Sequence, residues 1–181
     1  MNAETLATDS ITIRRVGPGE AAACIEGLAD VLIDCVEGGA SVSFMWPLPR
    51  ERALAFWRGV AEGVDRGERV LLVAEDAAGR IVGTVQLITG LPDNQPHRAD
   101  VAKMLVHRSA RRRGLAQRLM RALDDEARVE RRTVLVLDTV TGGDAQRLYE
   151  REGWQHAGDV PKYALMPDGA FCGTSFYYKH L

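Results

Sequence analysis

Residues 10 to 16, SITIRRV, alternate between apolar and polar with the two-residue period of a strand, and then the period changes. Ala21, Ile25, Leu28, Leu32 and Cys35 recur at helical spacing until Gly38 and Gly39 stop them. A second stripe, Leu54, Trp57, Val60 or Ala61, and Val64, predicts a helix ending near Gly67. Between the two helices runs GGASVSFMWPLP, a loop of mixed aromatic and polar character. RVLLVAED and RIVGTVQLIT read as a hairpin turning at Ala78 and Gly79, and RADVAKMLVH, residues 98 to 107, reads as the next strand.

Leu115, Leu119, Leu123 and Ala127 then form a stripe, with Ala116 and Met120 beside it, the mark of a helix packed on a sheet. TVLVLDT, residues 133 to 139, predicts a buried central strand, and DAQRLYERE, residues 144 to 152, a helix closed by Gly153. The last two strands flank the turn MPDG at 166 to 169, with TSFYYKHL as the final one. The sum is one α/β domain over residues 1–181 with no internal repeat. It holds a mixed, mostly antiparallel sheet of about seven strands flanked by about four helices, with boundaries good to about two to four residues.

Composition supports a packed globular core, with 46% hydrophobic and 27% charged residues among 181, and excludes a disordered chain. The 23 basic and 25 acidic residues leave a formal charge of -2, so the broad basic field of a nucleic-acid binder is missing. The opening MNAETLATDSIT has no basic region followed by an apolar one, and nowhere is there an apolar run long enough to span a membrane. Cys24, Cys35 and Cys172 are odd in number and widely spaced, which fits a reducing compartment and a cytoplasmic protein whose cysteines serve packing. His97, His107, His156 and His180 show no HxH or HExxH pairing, so no metal is expected, although His107 stands close along the chain to the arginines considered next.

RRRGLAQRL, residues 111 to 119, sets three arginines where a helix begins. The N-terminal end of a helix carries about half a positive charge, so cations there are repelled unless an anion is present. R-x-x-G-x-A from Arg111 to Ala116 leaves backbone N–H groups unpaired at the helix start, where phosphate binds well. Gly114 permits close approach and Ala116 keeps the way clear. The stretch is neither G-x-G-x-x-G nor a P-loop, so a different phosphate ligand is implied. A solvated face is the other reading of Arg112 and Arg113.

Two acids interrupt apolar strands. Asp100 lies inside one and Asp138 closes another, at the end where open α/β sheets bind ligands. Strict alternation sets Asp100 on the face of Ala102, Met104 and Val106, and Asp138 on the face of Val134 and Val136, which aims both at one cleft. A carboxylate there can bind an ammonium and take its proton, while the plainer reading is a strand-end acid serving a turn.

R-x-x-G-x-A after RADVAKMLVH, followed by TVLVLDT and by A-x-x-L-Y at 145 to 149, resembles the GNAT superfamily of N-acetyltransferases. The resemblance implies acetyl-CoA, its pyrophosphate on the amides of Arg111, Arg112, Arg113, Gly114, Leu115, Ala116 and Gln117. It places the pantetheine arm along Met104, Leu105 and Val106, where a backbone N–H would hold the oxyanion of the reacting carbonyl. Tyr149 would protonate the leaving thiolate, or merely pack its helix on the sheet. The family's frequent asparagine seven residues before this tyrosine is Gly142 here, with Thr141 or Asp144 as replacements.

Family specificity resides in loops that correspond to residues 37 to 49 and 161 to 173, where Ser41, Phe44 and Trp46 offer a hydroxyl and apolar walls. Anchoring the loop is an equal use for Phe44 and Trp46. The implied reaction is direct acetyl transfer to a small amine, an amino-acid-like toxin or antibiotic, by a monomer or homodimer. A catalytically silent acyl-CoA sensor and a nucleic-acid module built on Arg111 to Arg113 are the alternatives.

Overall fold

A computed structural model describes residues 10–181. The reading of MNAETLATDSIT falls mostly on residues 1 to 9, outside the described residues. In chain order the elements are β1 (Thr12–Val16), α1 (Ala21–Glu37), α2 (Arg50–Asp65), β2 (Arg69–Glu75), β3 (Ile81–Ile88), β4 (Arg98–Val106), α3 (Leu115–Val129), β5 (Val134–Val140), α4 (Asp144–Arg151), β6 (Gln155–Leu165) and β7 (Phe171–His180). A single 3₁₀ turn, Arg108–Ala110, precedes α3. The seven strands form one sheet in the order β1-β2-β3-β4-β5-β7-β6, antiparallel except where β4 runs parallel to β5.

Each face of the sheet is covered by the helices whose stripes match it. Leu28, Leu32 and Trp57 of α1 and α2 pack with Leu71, Val73 and Leu105 on one face. Leu115, Leu119, Leu123 and Ala127 of α3 pack with Leu72, Val85 and Leu135 on the other, each at most 2% exposed. Gly83 lets α3 lie close to β3, since a Cβ there would stand 3.2 Å from a Leu119 methyl and 3.3 Å from one of Leu115.

Two departures from regular pairing shape the region beside α3. The β4–β5 ladder joins Arg98, Ala99 and Asp100 to Val134, Leu135 and Val136, and then the strands diverge. In addition, β4 bulges against β3, so that Lys103 and Met104 both fall opposite Val85, with Lys103 at φ 51°. One extra residue inverts the alternation. Ala99 and Val101 face α3, and so do Met104 and Val106 beyond the bulge, whereas Leu105 joins the α1–α2 side. The strict period expected for Asp100, Ala102, Met104 and Val106 therefore breaks at Lys103, and Asp100 lies on the face opposite Met104 and Val106.

Candidate active site

Where β4 and β5 separate, a cleft of about 1130 Å³ opens. Its walls are the start of α3, the start of α4, the loop after α1 and the β6–β7 turn. Pockets for one small ligand span roughly 300–1,000 Å³, so this space stands just above the upper end of that range.

The chain enters α3 through left-handed conformations at Arg112, φ 62°, and Gly114, φ 70°. No side chain caps the helix and no acid stands in its first turn. Its first backbone bond runs from the Arg118 N–H to the Gly114 carbonyl at 3.1 Å, so the amides of Leu115, Ala116 and Gln117 point out of the helix end. These residues line the cleft together with Arg112 and Gly114. A Cβ on Gly114 would meet nothing within 4 Å, which leaves the approach open. The cradle fits a diphosphate.

The arginines do not act as one set. The Arg111 guanidinium donates to the Val106 carbonyl at 3.0 Å and lies 3.8 Å from the Cys35 sulfur, so its charge braces the end of β4. Arg113 is not among the residues that line the cleft, and Arg112 is. The Gln117 side chain donates to Glu152 Oε1 at 2.5 Å, which leaves only its backbone N–H for the cradle. His107 holds the Ser109 hydroxyl at 2.8 Å and lies 3.4 Å from Asp34. It supports the turn before the cradle and does not line the cleft.

Asp138 and Asp100 share a face of the sheet, yet only Asp138 lines the cleft. At Asp100 the strands are still paired, and its carboxylate is held by Arg98 on its own strand. Tyr149 also lines the cleft and is 6% exposed, with ring centroids of Trp154 and Tyr177 at 6.0 and 6.1 Å. Burial, and then the charge of Asp138, pushes its phenol up to about 12. At the site of the missing asparagine, Gly142 donates its N–H to Gln146 Oε1 at 2.5 Å, and Thr141 turns to the Ser175 hydroxyl at 2.9 Å. Asp144, at the start of α4, is the member of that trio on the cleft.

On the acceptor side, Ser41 donates to the Leu165 carbonyl at 2.9 Å and Phe44 packs edge-on against Phe56 at 5.4 Å, and both line the cleft. Trp46 does not. It is 46% exposed, and its backbone N–H donates to the Pro167 carbonyl at 3.1 Å, so it ties the loop to the β6–β7 turn. The residue the sequence pattern hides is Lys103. Regular alternation assigns it to the face of Val101, and the bulge turns it instead toward α2 and the loop after α1, where its Nζ donates to Ser43 Oγ at 3.1 Å on the cleft wall. A lysine inside the apolar run VAKMLV was the available signal.

Cys24, Cys35 and Cys172 are free, the first two buried. Among the described residues, no group of three or more His, Cys, Asp or Glu is placed to hold a metal ion, and no helix is long and apolar enough to cross a membrane.

Residues 67–156 match the acetyltransferase (GNAT) domain model. An uncharacterized N-acetyltransferase from the hisH–hisA intergenic region of Azospirillum brasilense is 34% identical over 116 residues, which cover 63% of this chain and 67% of the relative. The chain belongs to the GNAT acetyltransferase family and is an acetyl-CoA-dependent N-acetyltransferase. The fold recurs in a Salmonella typhimurium protein assigned as an acetyltransferase and solved with its cofactor acetyl-CoA, at TM-score 0.74 and 19% identity over 95% of this chain and 94% of that one. It recurs also in a chain assigned as a phosphinothricin N-acetyltransferase, at TM-score 0.78 and 19% identity over 95% of this chain and 99% of that one.

Proposed function

We propose that this protein acetylates the primary amine of a small, amino-acid-like molecule by direct attack on acetyl-CoA within a ternary complex. The observation that carries the reading is that one cleft gathers the amide cradle of α3, the unpaired edge of β4, Asp138 and Tyr149. Acetyl-CoA supplies an activated thioester. The amides of Leu115 to Gln117, with Arg112, bind its pyrophosphate. The free edge of β4 from Met104 to Val106 offers backbone hydrogen bonds to the pantetheine arm and one N–H to the thioester oxygen. Asp138 binds the acceptor's ammonium and takes its proton, directly or through water. Tyr149 holds its proton throughout the neutral range, donates it to the departing thiolate, and regains one from the nitrogen of the tetrahedral intermediate, directly or through water. Ser41 and Phe44 wall the acceptor. Asp100, held by Arg98 outside the cleft, takes no part in this scheme.

A toxin or antibiotic is the acceptor we favour. GGASVSFM, KMLVHRSARRRGLAQRLM, LDT, PDG and the closing FYYK are similar to the tabtoxin resistance protein, an acetyltransferase of small amino-acid-like molecules. The unpaired thiols support action in the reducing cytoplasm, and residues 1–181 read as one catalytic domain.

Thiol release from acetyl-CoA across a panel of small amines tests the reading, and binding without release for any amine would favour the silent sensor. Ala116→Glu tests the cradle. An acid in the first turn suits the helix dipole, and since Ala116 packs partly on the core, thermal unfolding of the variant checks that its fold is kept. The same carboxylate sits against the pyrophosphate, so calorimetry should register at least about a tenfold loss of CoA affinity, about 1.4 kcal/mol.

A further inference from the structure

We propose that Lys103 anchors a carboxylate on the acceptor, so that the substrate is a zwitterion with its ammonium toward Asp138 and its carboxylate toward Lys103. The inference rests on the amine-acetylation reading above and narrows its substrate class.

Lys103 is partly buried in the cleft wall, where taking an ammonium out of water is costly unless an anion meets it. Arg14, Arg50, Arg108 and Arg121 each lie within 4.0 Å of a carboxylate, and Arg111 and Arg69 have a backbone carbonyl and a side-chain amide, whereas among the described residues no carboxylate comes that near Lys103. Its Nζ is nonetheless held in place, by the Ser43 hydroxyl at 3.1 Å and over the Phe56 ring at 5.4 Å. An ammonium has three donors, and Ser43 occupies one of them.

The surroundings set the rest of the chemistry. Burial lowers the Lys103 pKa, Asp138 raises it, and Arg69 on β2 lowers it again. The Arg69 guanidinium itself is engaged with Gln86 at 2.8 Å. Apart from Arg111, Arg112, Asp144 and Arg151 on its helical walls, the cleft therefore presents the cation of Lys103 and the anion of Asp138 from its strands, and a molecule bearing both charges satisfies each. A carboxylate against Lys103 would also restore the ammonium that burial disfavours.

The experiment pairs amino acids with their carboxamides, L-methionine, L-phenylalanine and L-lysine each beside its amide, and measures thiol release from acetyl-CoA. The wild-type protein should favour the acid forms by at least about tenfold in kcat/KM, and Lys103→Met should remove that preference through KM while turnover of the amides changes less than about threefold. Lys103→Arg should restore most of the preference. Equal rates for acids and amides in the wild-type protein, a comparison needing no variant, would overturn the proposal. So would a Lys103→Met loss that falls equally on both and through kcat, the mark of a proton acceptor or a structural strut. Absence of thiol release with every amine would remove the acetylation reading itself, a result distinct from either.

Discussion

Tyr149 is acted on twice, by the apolar packing of Trp154 and Tyr177 and by the charge of Asp138, and both push its pKa in one direction, to about 12. A raised pKa keeps the phenol protonated over the whole range in which the amine is reactive. The kcat profile should therefore show no basic limb from this group below about pH 11, and Tyr149→Phe should lower kcat by about 10²-fold, measured as thiol release. A basic limb that begins near pH 10 and vanishes in the phenylalanine variant would contradict the assignment. Asp138→Asn keeps the shape of the side chain and removes its charge, so kcat/KM should fall by about 10²-fold or more, with the loss shrinking as rising pH deprotonates the amine. The two acids looked alike in the sequence because each breaks an apolar strand. What separates them is pairing: Asp100 stands where β4 and β5 are still joined and Asp138 where they have parted, and single-strand periodicity carries no record of a neighbour's departure.

Among the elements, the end of α1 is tied to the turn before α3 through one carboxylate. Asp34, 11% exposed at its side chain, accepts from the Arg108 backbone N–H and from its Nε, both at 2.8 Å. Burial alone would raise its pKa, but the Arg108 hydrogen bonds and the nearby His107 outweigh it and hold the carboxyl below the usual range. A depressed folded pKa means that this contribution is complete above the unfolded value, near 3.9, and is lost as pH falls through the folded one. Asp34→Asn should cost about 1–3 kcal/mol at pH 7 in denaturant titrations, and the gap to the wild-type protein should narrow below about pH 4. The helices themselves were legible, because the Leu115, Leu119, Leu123 and Ala127 stripe repeats and every member is buried. The bulge at Lys103 was not, since it inserts one residue without any change in composition, and with it went the faces of Met104 and Val106 and the place of Lys103 in the cleft. For Trp46 the sequence leaves two uses open for a related reason: an aromatic in a loop reads alike whether it lines a cleft or, as here, fastens the loop to another turn.

At the scale of the molecule, the parallel ladder is the short seam along which residues before α3 meet residues after it within the sheet. Arg98 to Asp100 hold it against Val134 to Val136, and beyond them the backbone groups of β4 and β5 that are not turned to β3 and β7 face each other without pairing. Open backbone groups of this kind exchange their hydrogens with solvent readily. A ligand lying between the two strands would act as a missing rung, and because it binds only the folded chain it would stabilise by about 2.7 kcal/mol at a concentration 100 times its dissociation constant. Amide hydrogen exchange followed by mass spectrometry should therefore find peptides covering residues 101 to 106 and 137 to 140 quick to exchange in the free protein and slowed by CoA. Those of β2, already paired on both sides by β1 and β3, should scarcely change. The same seam would make this enzyme's resistance to heat a function of how much acetyl-CoA the cell holds, so that the chain loosens when its donor runs short.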